Sequence, residues 1–218
     1  MLTRELISNA IPYLHKEDKV LHALQLMNDY HVAHLPVVEN NSYLGIVSEE
    51  QLLQSDDDTT INQLQVTDGT TSVQGKDHFL KAIHTAVVNK LSIVPVVEEK
   101  QLLGIVTYTD LLRNASEFMS LNEPGALLVL EIDGRNYSFS EINRIVESND
   151  AQITQLNTFT EPESGVMFVT IRVNKMEVSD LLATFQRYEY NVKYYFGEEL
   201  YENELRTNYD NLMNYLKI

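Results

Sequence analysis

The chain contains nearly the same stretch of sequence twice. Residues 34–53 read HLPVVENNSYLGIVSEEQLL, and residues 93–112 read IVPVVEEKQLLGIVTYTDLL. The two stretches align without a gap at an offset of 59 residues, so that Pro36 matches Pro95 (95 minus 36). A repeat at a fixed offset predicts two copies of one structural unit that pack against each other.

Each copy has the pattern of a small unit that mixes helices and strands. Asp18 and Asp77 precede apolar residues at helical spacing, and we predict that they cap the first helix of each copy. Ser48 and Thr107 follow the last strand of each copy and are the predicted N-caps of a second helix. The predicted strands are short leading ones near residues 11–14 and 70–73, followed by residues 35–39, 43–47, 93–97 and 102–106.

The chain changes character after the turn residues at 122–125. The pattern beyond them predicts the order βαββαβ, which is the split βαβ arrangement of ferredoxin-like folds. Two repeats of β-α-β-β-α followed by this unit make a mixed α/β chain of the α+β class. The strands are predicted at residues 126–132, 152–160, 166–173 and 192–196, and the helices at 138–149 and 177–188.

We therefore expect four segments along the chain: 1–59, 60–120, 126–197 and a tail at 198–218. The tail reads as an amphipathic helix, and its apolar residues recur at steps near four. Those residues are Tyr201, Leu205, Tyr209, Leu212 and Leu216. The stripe either packs on its own domain or forms a dimer contact, since tyrosine is enriched at interfaces.

Composition excludes several classes of function. The chain of 218 residues has no cysteine, which rules out disulfides and thiolate chemistry, and its formal net charge is −16. Direct nucleic-acid binding is not expected because there is no basic patch. No apolar run reaches the roughly 20 residues of a membrane helix, and the N-terminus does not read as a secretory signal. We expect a cytoplasmic protein.

No motif for catalysis or metal binding stands out. The chain lacks the GxSxG, HExxH, Walker and GxGxxG patterns, so nothing supports an enzyme. His31 and His34 are three residues apart, but they span a helix end and a strand start. That placement presets no ligand geometry, and we predict no metal site.

The duplicated pattern, a PVV strand followed by LGIV, a Ser or Thr and a closing Leu-Leu, resembles a tandem CBS-domain pair (the Bateman module) over about residues 1–118. Residues 126–196 resemble an ACT domain through their element order and through a strand that ends in Asp133-Gly134. ACT domains often have Pro-Gly in that turn, where this chain has Arg135-Asn136. A CBS pair followed by an ACT-like domain is similar to bacterial acetoin-utilisation-type regulatory proteins.

The resemblance implies a sensor that binds an adenine nucleotide between the repeats. Asp110 would accept the hydroxyls of a ribose, Thr107 would contact a phosphate, and Val and Ile residues around the PVV strands would line an adenine slot. Ser48 keeps the hydroxyl in the first copy, but Gln51 stands where the second copy has its carboxylate. The alternative for Thr107 and Asp110 is helix capping without a ligand.

Two further sites follow from the resemblance. His34 falls where many CBS repeats place a basic residue near the phosphates; otherwise it is a histidine at a strand edge. Asp133, Gly134 and Asn136 match the positions where ACT domains hold a small ligand such as an amino acid; otherwise that domain only pairs subunits.

The implied function is a homodimeric regulatory protein that needs no cofactor. AMP, ADP, ATP or S-adenosylmethionine would act as its regulatory ligand, and its output would run through a protein target that the sequence does not identify. The alternative is a scaffold for dimerisation and protein interaction that senses nothing.

Overall fold

The computed structural model describes residues 1–66 and 71–197 and divides into two compact units, Met1–Ala115 and Ser116–Ile218. The helices are α1 (Val20–Tyr30), α2 (Glu49–Leu53), α3 (Phe79–Val88), α4 (Tyr108–Phe118), α5 (Phe139–Glu147) and α6 (Ser179–Arg187). The strands are β1 (His34–Glu39), β2 (Ser42–Ser48), β3 (Ile93–Glu98), β4 (Gln101–Thr107), β5 (Leu127–Asp133), β6 (Ile153–Thr160), β7 (Val166–Val173) and β8 (Asn191–Phe196). Short 3-10 helices cover Thr3–Leu6, Ile61–Gln63 and Gly134–Asn136.

The two repeats of the first unit form matching antiparallel hairpins. In β1–β2 Val37 lies opposite Gly45, and in β3–β4 Val96 lies opposite Gly104. A β-bulge follows in each hairpin at the same place, and the two glycines have φ of 152° and 156°. Only glycine adopts such backbone angles readily, which explains why both copies have it there.

The helices that open each repeat begin one residue later than predicted, with a different cap. Lys19 and His78 occupy the N-cap positions, so the prediction of Asp18 and Asp77 as caps is wrong. The Asp18 carboxylate instead accepts from His15 N at 2.7 Å, and that of Asp77 accepts from Gln74 N at 2.8 Å. Aspartate readily closes such local turns, which compete with its use as a helix cap.

The predicted leading strands are single β-bridges. Leu14 pairs with Val37 and Val73 pairs with Val96, both in parallel orientation. Each segment thus lies beside the first strand of its hairpin but contributes only one pairing. The predicted position at Thr70 lies outside the described residues.

The core of the first unit joins the two repeats. Leu91, Ile93 and Ile105 from the second repeat belong to the same buried cluster as the first repeat's Val20 and Leu35. Strand β1 contacts β3, and β2 contacts β4. The duplicated hairpins therefore pack on each other. The strand ends that carry polar residues lie close to the contact between the two repeats.

The second unit confirms the predicted ferredoxin-like order. Its four strands form one antiparallel sheet in the order β6-β7-β5-β8, and helices α5 and α6 pack on the same core as the sheet. Leu128 and Leu130 of β5 meet Ile142 of α5 and Phe185 of α6 in that core. The predicted tail helix at 198–218, with its tyrosine stripe, lies outside the described residues.

Candidate functional site

The start of α4 is closed by a reciprocal pair of side chains. Thr107 Oγ1 accepts from Asp110 N at 3.1 Å, and its hydroxyl donates to Asp110 Oδ2 at 2.6 Å. The same carboxylate oxygen receives a longer bond from Thr107 N, at 3.4 Å. Thr107 is therefore the helix cap that the sequence predicted, and Asp110 returns the bond to the cap residue.

The second carboxylate oxygen of Asp110 is less engaged. Asp110 Oδ1 lies 3.5 Å from Arg113 Nη1, and the Asp110 side chain keeps 22% of its surface exposed. An exposed oxygen with one long contact can accept further hydrogen bonds. Arg113 was not identified from the sequence; its position three residues after the aspartate on a helix was the available signal.

The matching start of α2 is closed differently. Ser48 Oγ accepts from Gln51 N at 3.2 Å, so Ser48 caps this helix. The Gln51 side chain turns away and donates from Nε2 to the carbonyl oxygen of Gln65 at 2.6 Å. No carboxylate returns a bond to the cap residue here, in contrast to α4.

His34 lies at the junction of the two repeats. Its Nδ1 accepts from Ser92 N at 3.2 Å and lies 3.1 Å from Ser92 Oγ. Burial lowers the pKa of His34 below its ordinary value of 6.5, and the nearby Glu49 partly opposes that shift. The imidazole is therefore neutral near pH 7, with its proton on Nε2. Ser92 was missed in the sequence, although it stands 59 residues after Ala33 in the repeat register.

Backbone bonds connect this junction to the start of α4. The Ser92 carbonyl accepts from Tyr108 N at 3.2 Å, and Ile93 lies opposite Thr107 in the β3–β4 ladder. His34 is thus linked through Ser92 to the Thr107–Asp110 turn, although it belongs to the other repeat. Ser48 lies opposite His34 in the β1–β2 ladder, at the start of α2.

The valines of the two PVV triplets differ in burial. Val37 and Val96 are fully buried and Val38 is buried, whereas Val97 is half-buried. The expectation that Val and Ile residues around these strands line an adenine slot stays a prediction.

Asp133 and Asn136 of the second unit line a polar cavity of about 420 Å³ with Glu131, Glu141 and Tyr190 among their neighbours. Hydrogen bonds from the Arg135 side chain and then from its backbone N–H lower the pKa of Asp133. Burial, followed by the hydrogen bond to Glu141, raises the pKa of Tyr190 to about 12. Gly134 has only Met167 Cε near the position of an added Cβ, at 3.9 Å.

Two features are absent from residues 1–66 and 71–197. No group of three or more histidine, aspartate or glutamate side chains is arranged to hold a metal ion in this part of the chain. None of the helices described there has the length and apolar character needed to cross a membrane.

Comparison with known proteins agrees with this architecture. Residues 4–58 and 66–117 match the family model for the CBS domain. Similar solved structures include a CBS domain pair/ACT domain protein from Thermotoga maritima, with 25% identity and a TM-score of 0.49 over 54% of this chain and 98% of that one. AcuB from Vibrio cholerae has 25% identity and a TM-score of 0.49 over 57% and 98%. CBSX2 in complex with AMP has 21% identity and a TM-score of 0.47 over 54% and 98%.

The family matches decide the class of this part of the molecule. Two CBS matches in succession cover the two hairpin repeats of the first unit. Residues 4–58 and 66–117 are therefore two CBS domains in tandem, which together make up just under half of the chain.

Proposed function

We propose that this chain is a ligand-sensing regulatory protein whose CBS pair binds an adenine nucleotide at the start of α4. The observation that carries the proposal is the Asp110 carboxylate, which bonds to Thr107 through Oδ2 and makes one long contact, to Arg113, through Oδ1. The matching Gln51 has no carboxylate oxygen, and its side chain is held by a bond from Nε2 to the carbonyl of Gln65.

The groups at this helix start suit a nucleotide. A carboxylate accepts strong hydrogen bonds from hydroxyl groups, which suits Asp110 Oδ1 for a ribose. The first N–H groups of a helix and the Thr107 hydroxyl suit a phosphate, and they do so locally in a chain whose formal net charge is −16. His34 would add an uncharged N–H donor from Nε2. Ser48 would hold a weaker site, or none, in the first repeat.

AMP is one candidate, since the similar protein CBSX2 was solved in complex with AMP. ADP, ATP and S-adenosylmethionine are the other candidates. In this proposal the protein carries out no catalysis and needs no resident cofactor, acts in the cytoplasm and forms homodimers. Binding would act by favouring one arrangement of the CBS pair over another.

The test is thermal unfolding of the full chain with AMP, ADP, ATP, S-adenosylmethionine and NAD in turn. A ligand at about 100 times its Kd stabilises the folded state by about 2.7 kcal/mol. We expect one of these compounds to raise Tm and Asp110→Asn to weaken its binding by at least about tenfold, a loss of about 1.4 kcal/mol. Asparagine has nearly the same size as the aspartate at 110 and removes its charge.

The matched control is Gln51→Ala, which removes the residue at the same place in the first repeat and should leave binding unchanged. Absence of a shift with every compound would overturn the nucleotide proposal. Unchanged binding in Asp110→Asn would overturn the assignment of the residue.

A scaffold that senses nothing is the second candidate, and one observation favours it. Polar side chains at both helix starts have hydrogen-bond partners without a ligand, since Thr107 bonds to Asp110 and Gln51 bonds to Gln65. In this alternative the CBS pair and the ACT-like domain serve dimerisation and protein interaction. A homodimer in light scattering, together with no response to any compound in the panel, is the result that would favour it.

The second unit would pair subunits or bind a second small ligand at Asp133, Gly134 and Asn136. Support for a ligand is the cavity that Asp133 and Asn136 line. Its other carboxylates, Glu131, Glu141 and Glu189, favour a ligand with a cationic group such as an amine. Calorimetry with the amino acids, on wild type and Asn136→Ala, tests this role.

A further inference from the structure

Three hydrogen bonds join the two repeats at one point. Ala33 N donates to Ser92 Oγ at 3.0 Å, and Ser92 N donates to His34 Nδ1 at 3.2 Å. Ser92 Oγ also lies 3.1 Å from His34 Nδ1. Because Nδ1 accepts from an N–H group it carries a lone pair, so the Ser92 hydroxyl donates to it as well.

The repeat register explains this arrangement. Ala33 and Ser92 occupy equivalent positions, 59 residues apart, just before β1 and β3. The Ser92 hydroxyl accepts from the Ala33 amide, but the side chain of alanine cannot accept a hydrogen bond from Ser92 in return. The His34 imidazole supplies the missing acceptor from the next position, where the second repeat has Ile93.

The same two residues are also bonded to both second helices. The Ala33 carbonyl accepts from Glu49 N at 2.8 Å, and the Ser92 carbonyl accepts from Tyr108 N at 3.2 Å. Glu49 and Tyr108 are the first residues of α2 and α4. The two helix starts are therefore connected through the backbone of Ala33 and the residue Ser92, and the His34 side chain bonds to Ser92 beside this connection.

We propose that His34 and Ser92 are positioning residues that couple the start of α2 to the start of α4, and that protonation of His34 weakens the coupling. Protonation of Nδ1 turns the acceptor into a donor, so the bond from Ser92 N is lost. The Ser92 hydroxyl then no longer donates to His34 and must turn to accept from the imidazolium, while it also accepts from Ala33 N.

The surroundings of His34 support a switch below pH 6.5. Glu49 at the start of α2 is the charged group that acts on the imidazole in the described part of the chain, and it favours the protonated form. Ser48 opposite His34, and Ser92 before β3, do not titrate in this range. Burial outweighs Glu49 and lowers the pKa of His34. The contribution to stability is thus fully present above pH 6.5 and is lost as the pH falls below it.

The first experiment needs no ligand. Tm of the full chain is measured from pH 5 to pH 8 at constant ionic strength for wild type, His34→Gln and the control His22→Gln. Glutamine at 34 can accept from Ser92 through its amide oxygen but does not titrate, and His22 is an exposed histidine on α1.

We expect wild type and His22→Gln to lose on the order of 3 °C more than His34→Gln between pH 7.5 and pH 5. Equal losses in all three proteins would overturn the proposal. A nitrogen-15 NMR spectrum of wild type provides a second test that needs no variant: His34 at pH 7.5 should be neutral with its proton on Nε2, and a proton on Nδ1 would overturn the proposal.

The coupling to a ligand rests on the proposed function and is tested with AMP. We expect Ser92→Ala to weaken AMP binding by about threefold to tenfold at pH 7.5. We also expect wild type to lose more affinity than His34→Gln between pH 7.5 and pH 5.5. Comparing the two proteins at each pH cancels the effect of the titration of AMP itself. Equal affinity in wild type and Ser92→Ala would overturn the coupling. If AMP does not bind wild type, the nucleotide proposal fails for AMP, and the Tm and NMR measurements still decide the His34–Ser92 proposal.

Discussion

The starts of α2 and α4 occupy the same place in two copies of one sequence, yet their polar contacts differ. Thr107 and Asp110 bond to each other, whereas Ser48 caps its helix alone and Gln51 bonds to Gln65. The backbone around them is the same, with equal strand register and matching bulges. The duplicated scaffold therefore keeps the same backbone at both helix starts, while the side chains at 51 and 110 make different hydrogen bonds.

The first helices of the two repeats differ in the size of their first buried residue, which gives the largest expected effect. Val20 and Phe79 are equivalent in the repeat register, begin α1 and α3, and are both fully buried. We expect Phe79→Ala to lower the free energy of unfolding by about 4 kcal/mol, as for large-to-small changes of buried aromatic residues. Val20→Ala removes less apolar surface and should cost about 2 kcal/mol.

Urea unfolding of both variants at pH 7.5 measures this difference. Since whole domains are stable by only about 5–15 kcal/mol, Phe79→Ala should unfold at a much lower urea concentration than Val20→Ala. Equal costs would mean that the two repeats do not contribute to the core in proportion to their buried surface.

The repeat pattern predicted the scaffold well because it is set by backbone and apolar residues. The two hairpins, the four helices around them and the βαββαβ order of the second unit all follow from alternation, helical spacing and turn residues. The ends of elements were less predictable. Asp18 and Asp77 looked like helix caps, but each closes the turn before the helix, and the sequence alone does not distinguish these two uses of an aspartate.

The candidate site was predictable only within one repeat. The Thr107–Asp110 pair follows from a spacing of three residues at a strand end, which is a local pattern. The contact of His34 with Ser92 joins residues 58 positions apart and depends on how the hairpins pack. Likewise the burial of Val37 and Val96 depends on how the hairpins pack, which the sequence does not show.

One substitution can remove the difference between the two helix starts. We expect its effect, which is on ligand binding, to be of intermediate size. Gln51→Asp gives the first repeat a carboxylate at the place where the second has Asp110. A carboxylate in the first turn also interacts favourably with the helix dipole, by about 0.5 kcal/mol, which offsets the loss of the bond to Gln65. Stability should therefore change little.

Ligand binding should respond more strongly to Gln51→Asp. If Asp110 is what makes the second repeat a nucleotide site, calorimetry with the compound that binds wild type should show one site per chain in wild type and two in the variant. Gln51→Asn is the matched control, because asparagine has the same shape as aspartate without its charge. Two equal sites in wild type would show that the carboxylate is not what distinguishes the repeats.

The smallest expected effect concerns the turns before α1 and α3. Asp18 and Asp77 close equivalent turns, but only the second repeat has a lysine four residues later; His22 stands at the matching place in the first. Lys81 Nζ lies 2.8 Å from Asp77 Oδ2, and the Lys81 side chain is 58% exposed. An exposed pair of this kind contributes little, so Lys81→Met should cost less than about 0.5 kcal/mol at pH 7.

The pH dependence of the same variant is the sharper test. The hydrogen bond from Lys81, followed by the bond from Gln74 N, lowers the pKa of Asp77 below 3.8. A carboxyl group whose pKa is lowered by folding stabilises the protein above its unfolded pKa, and this contribution is lost as the pH falls through the folded value. Lys81→Met should therefore lose less stability than wild type between pH 4 and pH 2, whereas His22→Met should follow wild type. If Lys81→Met and wild type lose stability equally in acid, the lysine does not distinguish the two turns, and the bond from Gln74 N alone accounts for the lowered pKa of Asp77.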